Sequence, residues 1–174
     1  CGNGIRCIVA FAQEVGLVTS TDSPVVVETS VGNRLVTPER GNSGIVSAEV
    51  DMGEPIFAAS QIPVNIPGSK EIIKDYPLHV NCETFEINCV SMGNPHAVTF
   101  INTPVDEIPL EQIGPLVENH PMFPQRVNFE IVNRVDQGRV RARVWERGSG
   151  LTRACGTGAC AIGVIGKMSG LTNS

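Results

Sequence analysis

Two cysteines begin two copies of one short motif. Cys-Gly-Asn-Gly at Cys1–Gly4 and Cys-Gly-Thr-Gly at Cys155–Gly158 each open an apolar stretch. Both stretches end in Gly-Leu, at Gly16–Leu17 and Gly170–Leu171, with the same spacing from the cysteine. The chain therefore carries an internal repeat. This repeat predicts two pseudo-symmetric halves that each bring one thiol to a shared site.

A thiol at a helix start is suited to proton transfer. The first N–H groups of a helix lack internal partners and carry partial positive charge, so we expect a lowered pKa for a cysteine there. The adjacent glycines leave N–H groups free to bind a carboxylate. A thiolate could then remove a proton from a carbon while a thiol on the opposite side returns one, which inverts a stereocentre. We expect no cofactor for this reaction.

The apolar pattern places both motifs at helix N-termini. From Gly2 to Val15 the chain is predicted to form a helix, with Gly16 suited to the left-handed position that ends it. Its apolar residues fall on one stripe: Ile5, Ile8, Val9, Ala12 and Val15. A second helix is predicted from Gly156 to Ser169. It is apolar nearly all round, which is typical of a buried helix, and Gly163 and Gly166 within it predict close backbone contact with the surrounding strands.

Short strands separate the two helices. We predict strands at Val25–Thr29, Leu35–Thr37, Gly44–Val50, Phe85–Ser91, Ala97–Ile101, Val127–Asn133 and Gly138–Trp145, and a further helix at Leu110–Glu118. Arginines alternate with apolar residues in the last strand, as in a sheet with one solvent-exposed face. The Pro- and Gly-rich stretch from Met52 to Ser69 predicts a linker or a domain crossover. The expected fold is α+β, with mostly antiparallel strands wrapped around a central helix in each half. We expect residues 1–62 to belong to the N-terminal half and 63–174 to an incomplete C-terminal half.

Composition narrows the function. The chain has 174 residues, 41% hydrophobic residues and a net charge of -5, which argues against nucleic-acid or anionic-membrane partners. It shows neither a membrane-spanning run nor a secretory signal, so we expect a cytoplasmic protein.

The six cysteines form no Cys-x-x-Cys, and His79, His96 and His120 are scattered, so no metal site is expected. We expect the other cysteines, Cys7, Cys82, Cys89 and Cys160, to be buried thiols. Because the chain begins on the motif without Met, we expect a segment of a longer protein.

These motifs resemble those of the diaminopimelate epimerases, pyridoxal-independent enzymes that interconvert LL- and meso-diaminopimelate in lysine and peptidoglycan synthesis. Residues Cys1–Cys7 resemble the first cysteine motif of that family and Glu146–Gly158 the second. Ser91–Val98 and Arg126–Asn128 resemble two intervening motifs. The similarity runs along essentially the whole chain, although the family's enzymes extend further at both ends. The resemblance implies a pseudo-symmetric two-domain fold and a homodimer.

The resemblance also implies residue roles. Cys1 and Cys155 would be the acid/base thiols, with His96 and Glu146 as their polar neighbours. The reacting carboxylate would be held by Gly2, Asn3, Gly156 and Thr157. The distal amino acid group would be recognised by Asn94, Asn128, Glu146 and Arg147. Because the family's enzymes are longer, we expect the isolated 174 residues to be inactive.

Three alternatives stay open. Proline and histidine racemases of the same superfamily also use paired cysteines, although the Glu146–Arg147 pair favours a substrate with a second charged end. A non-catalytic relative would bind an amino acid without inverting it. Two cysteines that face one pocket could also form a redox pair, which we interpret as a route to inactivation.

Overall fold

The computed structural model describes residues 2–18, 23–29, 32–41, 44–68, 71–136 and 138–171. The chain divides into two compact units, Cys1–Gly53 and Glu54–Ser174. This division falls near the start of the predicted crossover, N-terminal to the boundary that we expected after residue 62. The assignment of the two segments to the halves of an epimerase stays a prediction.

The first unit packs one helix against three antiparallel strands. Its elements are α1 (Gly2–Glu14), β1 (Val25–Thr29), β2 (Gly32–Gly41) and β3 (Gly44–Val50), and the strand order is β1-β2-β3. α1 lies against β2 and β3. Just beyond α1, Gly16 has a φ of +76°, the left-handed conformation that its sequence position predicted.

Only part of the predicted apolar stripe of α1 is buried. Val9 is buried, whereas Ile8 and Val15 expose 57% and 50% of their surface. Gly2 is buried as well, seven positions and therefore two helical turns before Val9. The side of α1 that packs on the strands is thus the Gly2–Val9 line, so the placement of Ile8 and Val15 on the buried side was wrong.

The second unit contains a six-stranded sheet. In chain order its elements are β4 (Tyr76–Val80), β5 (Glu83–Ser91), β6 (Pro95–Ile101), a 3₁₀ turn (Val105–Glu107), α2 (Leu110–Glu118), β7 (Asn128–Asp136), β8 (Arg139–Glu146), β9 (Gly150–Thr152) and α3 (Gly156–Met168). Neighbouring strands follow chain order and pair antiparallel, except that β6 and β7 are parallel. The crossover that such a parallel pair requires contains α2.

The sheet has a different helix on each face. α2 covers the larger apolar core, which includes Phe85, Ile87, Phe129 and Ile131. Residues that alternate with these along the strands point to the other face, where α3 contacts β5, β6 and β7. Each unit is therefore an α+β arrangement in which mostly antiparallel strands pack against helices, and the predicted α+β class is confirmed.

α3 buries one side rather than its whole circumference. Ala161 and Ile165 are fully buried, but Ala159 and Gly163 are exposed. No heavy atom lies within 4 Å of the position that a Cβ on Gly163 would take. The predicted close backbone contact at Gly163 was therefore wrong, because this glycine is on the side of the helix that faces away from the sheet.

Two further sequence expectations need correction. Cys7 and Cys82 are exposed and Cys160 is half-buried, so of the four cysteines expected in the interior only Cys89 is buried. In β8 the side chain of Arg143 is 22% exposed because its guanidinium donates to the carbonyl oxygens of Val105 and Ile108. The alternation of solvent-exposed and buried side chains along β8 is thus incomplete. No helix in the described part of the chain is long and apolar enough to cross a membrane.

Candidate active site

Cys155 caps the N-terminus of α3. Its backbone is extended, with φ −127° and ψ 114°, and its side chain accepts a hydrogen bond from the N–H of Gly158 at 3.4 Å. The hydroxyl of Thr157 lies 3.4 Å from the same sulfur. The sequence predicted this cysteine at a helix start, and the turn of α3 brings two donor groups to its Sγ.

The pKa of Cys155 is raised, not lowered as we expected from its position at a helix start. Burial of the half-buried thiol is the largest cause, and the hydrogen bonds from Thr157 and Gly158 oppose it. The nearby carboxylate of Glu146 raises the pKa further, as would a negative charge on Glu130. At neutral pH the resting form of this residue is therefore the thiol.

A network of polar side chains leads away from this thiol. Asn94 donates from Nδ2 to Thr157 Oγ1 at 3.3 Å, and its Oδ1 lies 3.0 Å from His96 Nε2. The other ring nitrogen of His96 lies 2.7 Å from Glu130 Oε1. These residues come from the start of β6, from β7 and from α3, which meet on the α3 face of the sheet. Of the predicted residues, Asn94, His96, Cys155 and Thr157 are therefore brought together.

Glu130 is the site residue that sequence reasoning missed. Its side chain is fully buried, and burial raises its pKa while the charge and hydrogen bond of His96 lower it. The signal was present in the sequence, because an acidic residue inside the apolar run of β7 must find a partner. Its partner could not be identified, since His96 is separated from it by 34 positions.

The motif glycine at position 158 fits against this glutamate. A Cβ on Gly158 would lie 2.9 Å from Glu130 Oε1 and 3.2 Å from the Cβ of Cys155. Contacts under 3.0 Å essentially never occur at real Cβ atoms, so a side chain here would displace the carboxylate or the cysteine. The second glycine of the repeat thus permits the thiol and a buried acid to be packed together.

Three other predicted residues lie at the neighbouring strand ends. Glu146, at the end of β8, accepts a hydrogen bond from the hydroxyl of Thr152. Asn128 donates to the carbonyl of Pro95 at 2.8 Å and accepts from the backbone N–H of Arg147 at 2.9 Å. In this structure Asn128 ties the start of β6 to the turn after β8. The guanidinium of Arg147 donates to the carbonyl of Gln125 at 3.0 Å.

The turn after β8 is held by a second buried acid. Glu118, at the end of α2, accepts from Trp145 Nε1 at 2.7 Å, from the Gly148 N–H at 2.9 Å and from Arg126 at 3.0 Å. These contacts fix the segment that presents Glu146. No sequence motif pointed to Glu118.

An open cavity of about 480 Å³ lies beside Cys155. Its lining includes Glu130, Val144, Thr152, Cys155, Gly158 and Ile162. No atom within 4 Å blocks the space in front of Gly156. There is therefore open space beside the first residue of α3, at the end of a helix where free N–H groups can bind carboxylates. Within the described residues, no three His, Cys, Asp or Glu side chains are grouped as metal ligands.

The candidates near the N-terminus belong to the first unit. Cys1 and the side chain of Asn3 fall outside the described residues. Gly2 begins α1 and is buried, and a Cβ there would lie 3.6 Å from Met52 Sδ. The roles expected for these three residues stay predictions.

Comparison with known proteins identifies the family. Residues 88–174 match the family model described as diaminopimelate epimerase, and this range is half of the chain. The chain belongs to the diaminopimelate epimerase family.

Members of this family are similar to nearly the whole chain. The diaminopimelate epimerase of Acetivibrio thermocellus is 44% identical over 174 residues, which cover 99% of this chain and 60% of that protein. Diaminopimelate epimerase 1 of Nostoc sp. is 43% identical over 170 residues, or 98% of this chain and 59% of that protein. The chain thus spans about 60% of the length of the curated relatives that it matches.

Two solved structures share the fold. A hydroxyproline epimerase from Agrobacterium vitis with bound trans-4-hydroxy-L-proline has a TM-score of 0.67 and 17% identity, covering 96% of this chain and 51% of that one. A probable proline racemase from Agrobacterium radiobacter with bound carbonate has a TM-score of 0.68 and 16% identity, covering 96% and 52%. At these identities the comparison establishes the fold.

Proposed function

We propose that the full-length protein containing this chain is a diaminopimelate epimerase that inverts one stereocentre of LL-diaminopimelate to give the meso isomer. It would act without a cofactor, as a homodimer in the cytoplasm, in lysine and peptidoglycan synthesis. The observation that carries the proposal is Cys155, whose sulfur receives the Thr157 and Gly158 donors beside an open cavity. The choice of diaminopimelate as the proposed substrate rests on membership of the family.

The proposed reaction moves one proton to a thiolate and one from a thiol. Cys1 as thiolate takes the proton from the α-carbon, and the electron pair stays on the substrate as a carbanion stabilised by its carboxylate. Cys155 as thiol then donates its proton to the opposite face of that carbon. At the end Cys1 is the thiol and Cys155 the thiolate, so the reverse reaction can follow directly.

The environment of Cys155 supports the role of proton donor. Its raised pKa keeps the thiol protonated before the reaction. The hydroxyl of Thr157 and the N–H of Gly158 stabilise the thiolate that forms when the proton leaves. We propose that the N–H groups of Gly156 and Thr157, together with Gly2 and Asn3, bind the reacting carboxylate. These donors gain strength as negative charge develops on it.

The distal amino acid group carries an ammonium and a carboxylate, so its binding site needs one negative and one positive side chain. We propose that Glu146 binds its ammonium and Arg147 its carboxylate, with Asn94 and Asn128 as further polar contacts. His96 and Glu146 would be the polar neighbours of the two thiols. This pair of opposite charges favours diaminopimelate over proline, which has no second charged end.

The test is proton exchange at the α-carbon. LL-diaminopimelate is incubated in deuterated buffer with reductant, using the full-length protein, and loss of the α-proton signal is followed by NMR. We expect exchange and formation of the meso isomer. The Cys155→Ala variant should lose both, whereas Cys160→Ala, which removes a half-buried thiol further along α3, should keep them.

Two outcomes would indicate a different function for this protein. Exchange of proline, hydroxyproline or histidine without exchange of diaminopimelate would favour the related racemase, the class of the two solved structures. A folded and reduced protein that binds diaminopimelate without any exchange would be a binding protein. We expect the 174-residue chain, measured in parallel, to be inactive.

A further inference from the structure

An unbroken series of hydrogen bonds joins Glu130 to the thiol of Cys155. Glu130 Oε1 lies 2.7 Å from His96 Nδ1, and His96 Nε2 lies 3.0 Å from Asn94 Oδ1. Asn94 Nδ2 lies 3.3 Å from Thr157 Oγ1, which lies 3.4 Å from the sulfur. Glu130 is the only one of these five residues to which neither the sequence motifs nor the proposed mechanism gives a role.

The donors in this series all point toward the sulfur. Asn94 presents its amide oxygen to His96 Nε2, so that nitrogen must carry a proton. Asn94 also donates its amide N–H to the oxygen of Thr157. The hydroxyl proton of Thr157 is therefore free to be donated to Sγ of Cys155.

The orientation of His96 requires a second proton on the Glu130 side. A neutral imidazole carries one proton, and here it is already on Nε2. A bare Nδ1 would then place its lone pair 2.7 Å from a carboxylate oxygen, in a site where both side chains are 0% exposed. That contact is repulsive, so a proton must lie between Nδ1 and Oε1. The pair as a whole then carries no net charge.

We propose that Glu130 is a positioning residue that retains a proton against Nδ1 of His96, and so keeps the donors of Asn94 and Thr157 directed at Cys155. His96 is then a positioning residue as well, since its Nε2 donates to Asn94 and does not accept a proton from a thiol. The use of this arrangement in catalysis rests on the proposed epimerase function, whereas the arrangement itself does not.

The packing around Glu130 agrees with a fixed position for its carboxylate. Gly158 leaves no room between Oε1 and Cys155, because a Cβ on this glycine would lie 2.9 Å from the first and 3.2 Å from Cβ of the second. Among the residues that the structure describes, the other ionisable groups that interact with this carboxylate are Cys89, Glu146 and Cys155 itself. An unneutralised charge at Glu130 would oppose ionisation of the thiol, and the retained proton removes that opposition.

The first test reads the protons on His96 directly. The histidine side chains of the ¹⁵N-labelled full-length protein are observed by NMR from about pH 6 to about pH 9, a range that spans the ordinary histidine pKa, and His96→Gln assigns the His96 signals. We expect Nε2 to carry a proton throughout this range. We also expect a far-downfield proton resonance from the Nδ1 contact, which Glu130→Gln abolishes while Nε2 keeps its proton, because a glutamine amide can donate to Nδ1.

An unprotonated Nε2 in the wild type would overturn the proposal, because His96 would then face Asn94 as an acceptor. A downfield resonance that persists in Glu130→Gln would also overturn it. If Glu130 only stabilised the fold, we would expect neither a downfield Nδ1 resonance in the wild type nor its selective loss in Glu130→Gln. The wild-type spectrum is decisive even if the variant does not fold.

The second test measures the thiol. Alkylation of Cys155 by iodoacetamide is followed at fixed pH by mass spectrometry of its peptide, which needs no substrate. Glu130→Gln should stay within about threefold of the wild-type rate, because it replaces a neutral pair by a neutral pair. Removal of an unneutralised charge would raise the rate by roughly tenfold, the factor that one pKa unit represents, and would overturn the proposal.

Thr157→Val serves as the positive control. It removes the hydroxyl at the end of the series and should lower the Cys155 alkylation rate roughly tenfold, as expected for loss of a hydrogen bond to a charged group. Thr157→Ser should restore it. Failure of the α-proton exchange assay would count against the epimerase function alone, since neither the spectrum nor the alkylation rate depends on turnover.

Discussion

Replacing Gly114 with Ala should destabilise the second unit, although alanine is the better helix former. α2 passes so close to Trp145 that a Cβ on Gly114 would overlap Cδ2 and Cγ of the indole and lie 2.7 Å from its Cε3. Carbon atoms in contact normally lie about 3.5–4.0 Å apart, so helix and ring must separate by roughly 1 Å.

The ring has little freedom to move. Its Nε1 donates to Glu118 Oε2 at 2.7 Å, and on another side it lies within 3.4 Å of the position of a Cβ on Gly150. Overpacking of this kind costs about 1–3 kcal/mol. Weakening the hydrogen bond to the Glu118 carboxylate adds about 1.5–3 kcal/mol. The gain in helix propensity is only about 1 kcal/mol, so we expect a net loss of about 1.5–5 kcal/mol.

Gly163→Ala is the matched control. It makes the same substitution inside α3 of the same unit, at an exposed position with no heavy atom within 4 Å of the new Cβ. Without a clash the propensity term remains, and we expect stabilisation of about 0.5–1 kcal/mol. Both variants are compared with the wild type by urea unfolding.

A Gly114→Ala variant as stable as the wild type, measured beside a Gly163→Ala variant that behaves as expected, would contradict this prediction. In that case α2 and the indole would separate at little cost, and the contact would not restrict the position of β8. Equal destabilisation by both substitutions would instead show that alanine is poorly tolerated in these helices for reasons other than packing against Trp145.

Three further predictions follow from buried groups. Glu118→Gln should lower the free energy of unfolding by about 2–3 kcal/mol in urea titrations, because an amide nitrogen would face donors that now share the carboxylate. Burial raises the pKa of Glu130, so the folded state binds a proton that the unfolded state releases. The wild type should therefore lose stability relative to Glu130→Gln as the pH rises above about 4.3, the ordinary glutamate pKa, and an opposite slope would exclude the raised pKa. Burial also raises the pKa of Cys89, so this thiol should resist alkylation in the folded protein while exposed Cys82 reacts, and peptide mass spectrometry distinguishes the two.

Local signals predicted much of the secondary structure. β1, β3 and α2 have the bounds expected from their apolar periodicity and the Pro, Gly and Asn residues around them. β4 and β9 were missed, since Tyr76–Val80 contains a proline and Gly150–Thr152 has only three residues. The parallel pairing of β6 with β7 could not be predicted, because it depends on how a crossover packs and not on the pattern within either strand.

The candidate site was predictable where it coincides with a motif. The repeat placed Cys155 at a helix start and Thr157 in the first turn, and the structure has both there. It could not reveal Glu130, because pairing with His96 is created by the register of the two strands. The pKa of Cys155 was misjudged for a related reason. Its helix position can be read from the sequence, but its burial and its two neighbouring carboxylates depend on tertiary structure.

The raised pKa of Cys155 also determines how the proposed reaction begins. Two thiols that invert a carbon need opposite protonation states, and burial, the largest cause of the raised pKa of Cys155, keeps the proton on Cys155. In the proposed mechanism the thiolate of the resting enzyme is then Cys1. The reverse reaction requires Cys155 as the thiolate, which the hydrogen bonds from Thr157 and Gly158 stabilise. Removing the Thr157 hydroxyl should therefore lower kcat/KM in both directions, because both cross the same transition state, in which negative charge develops on the sulfur of Cys155.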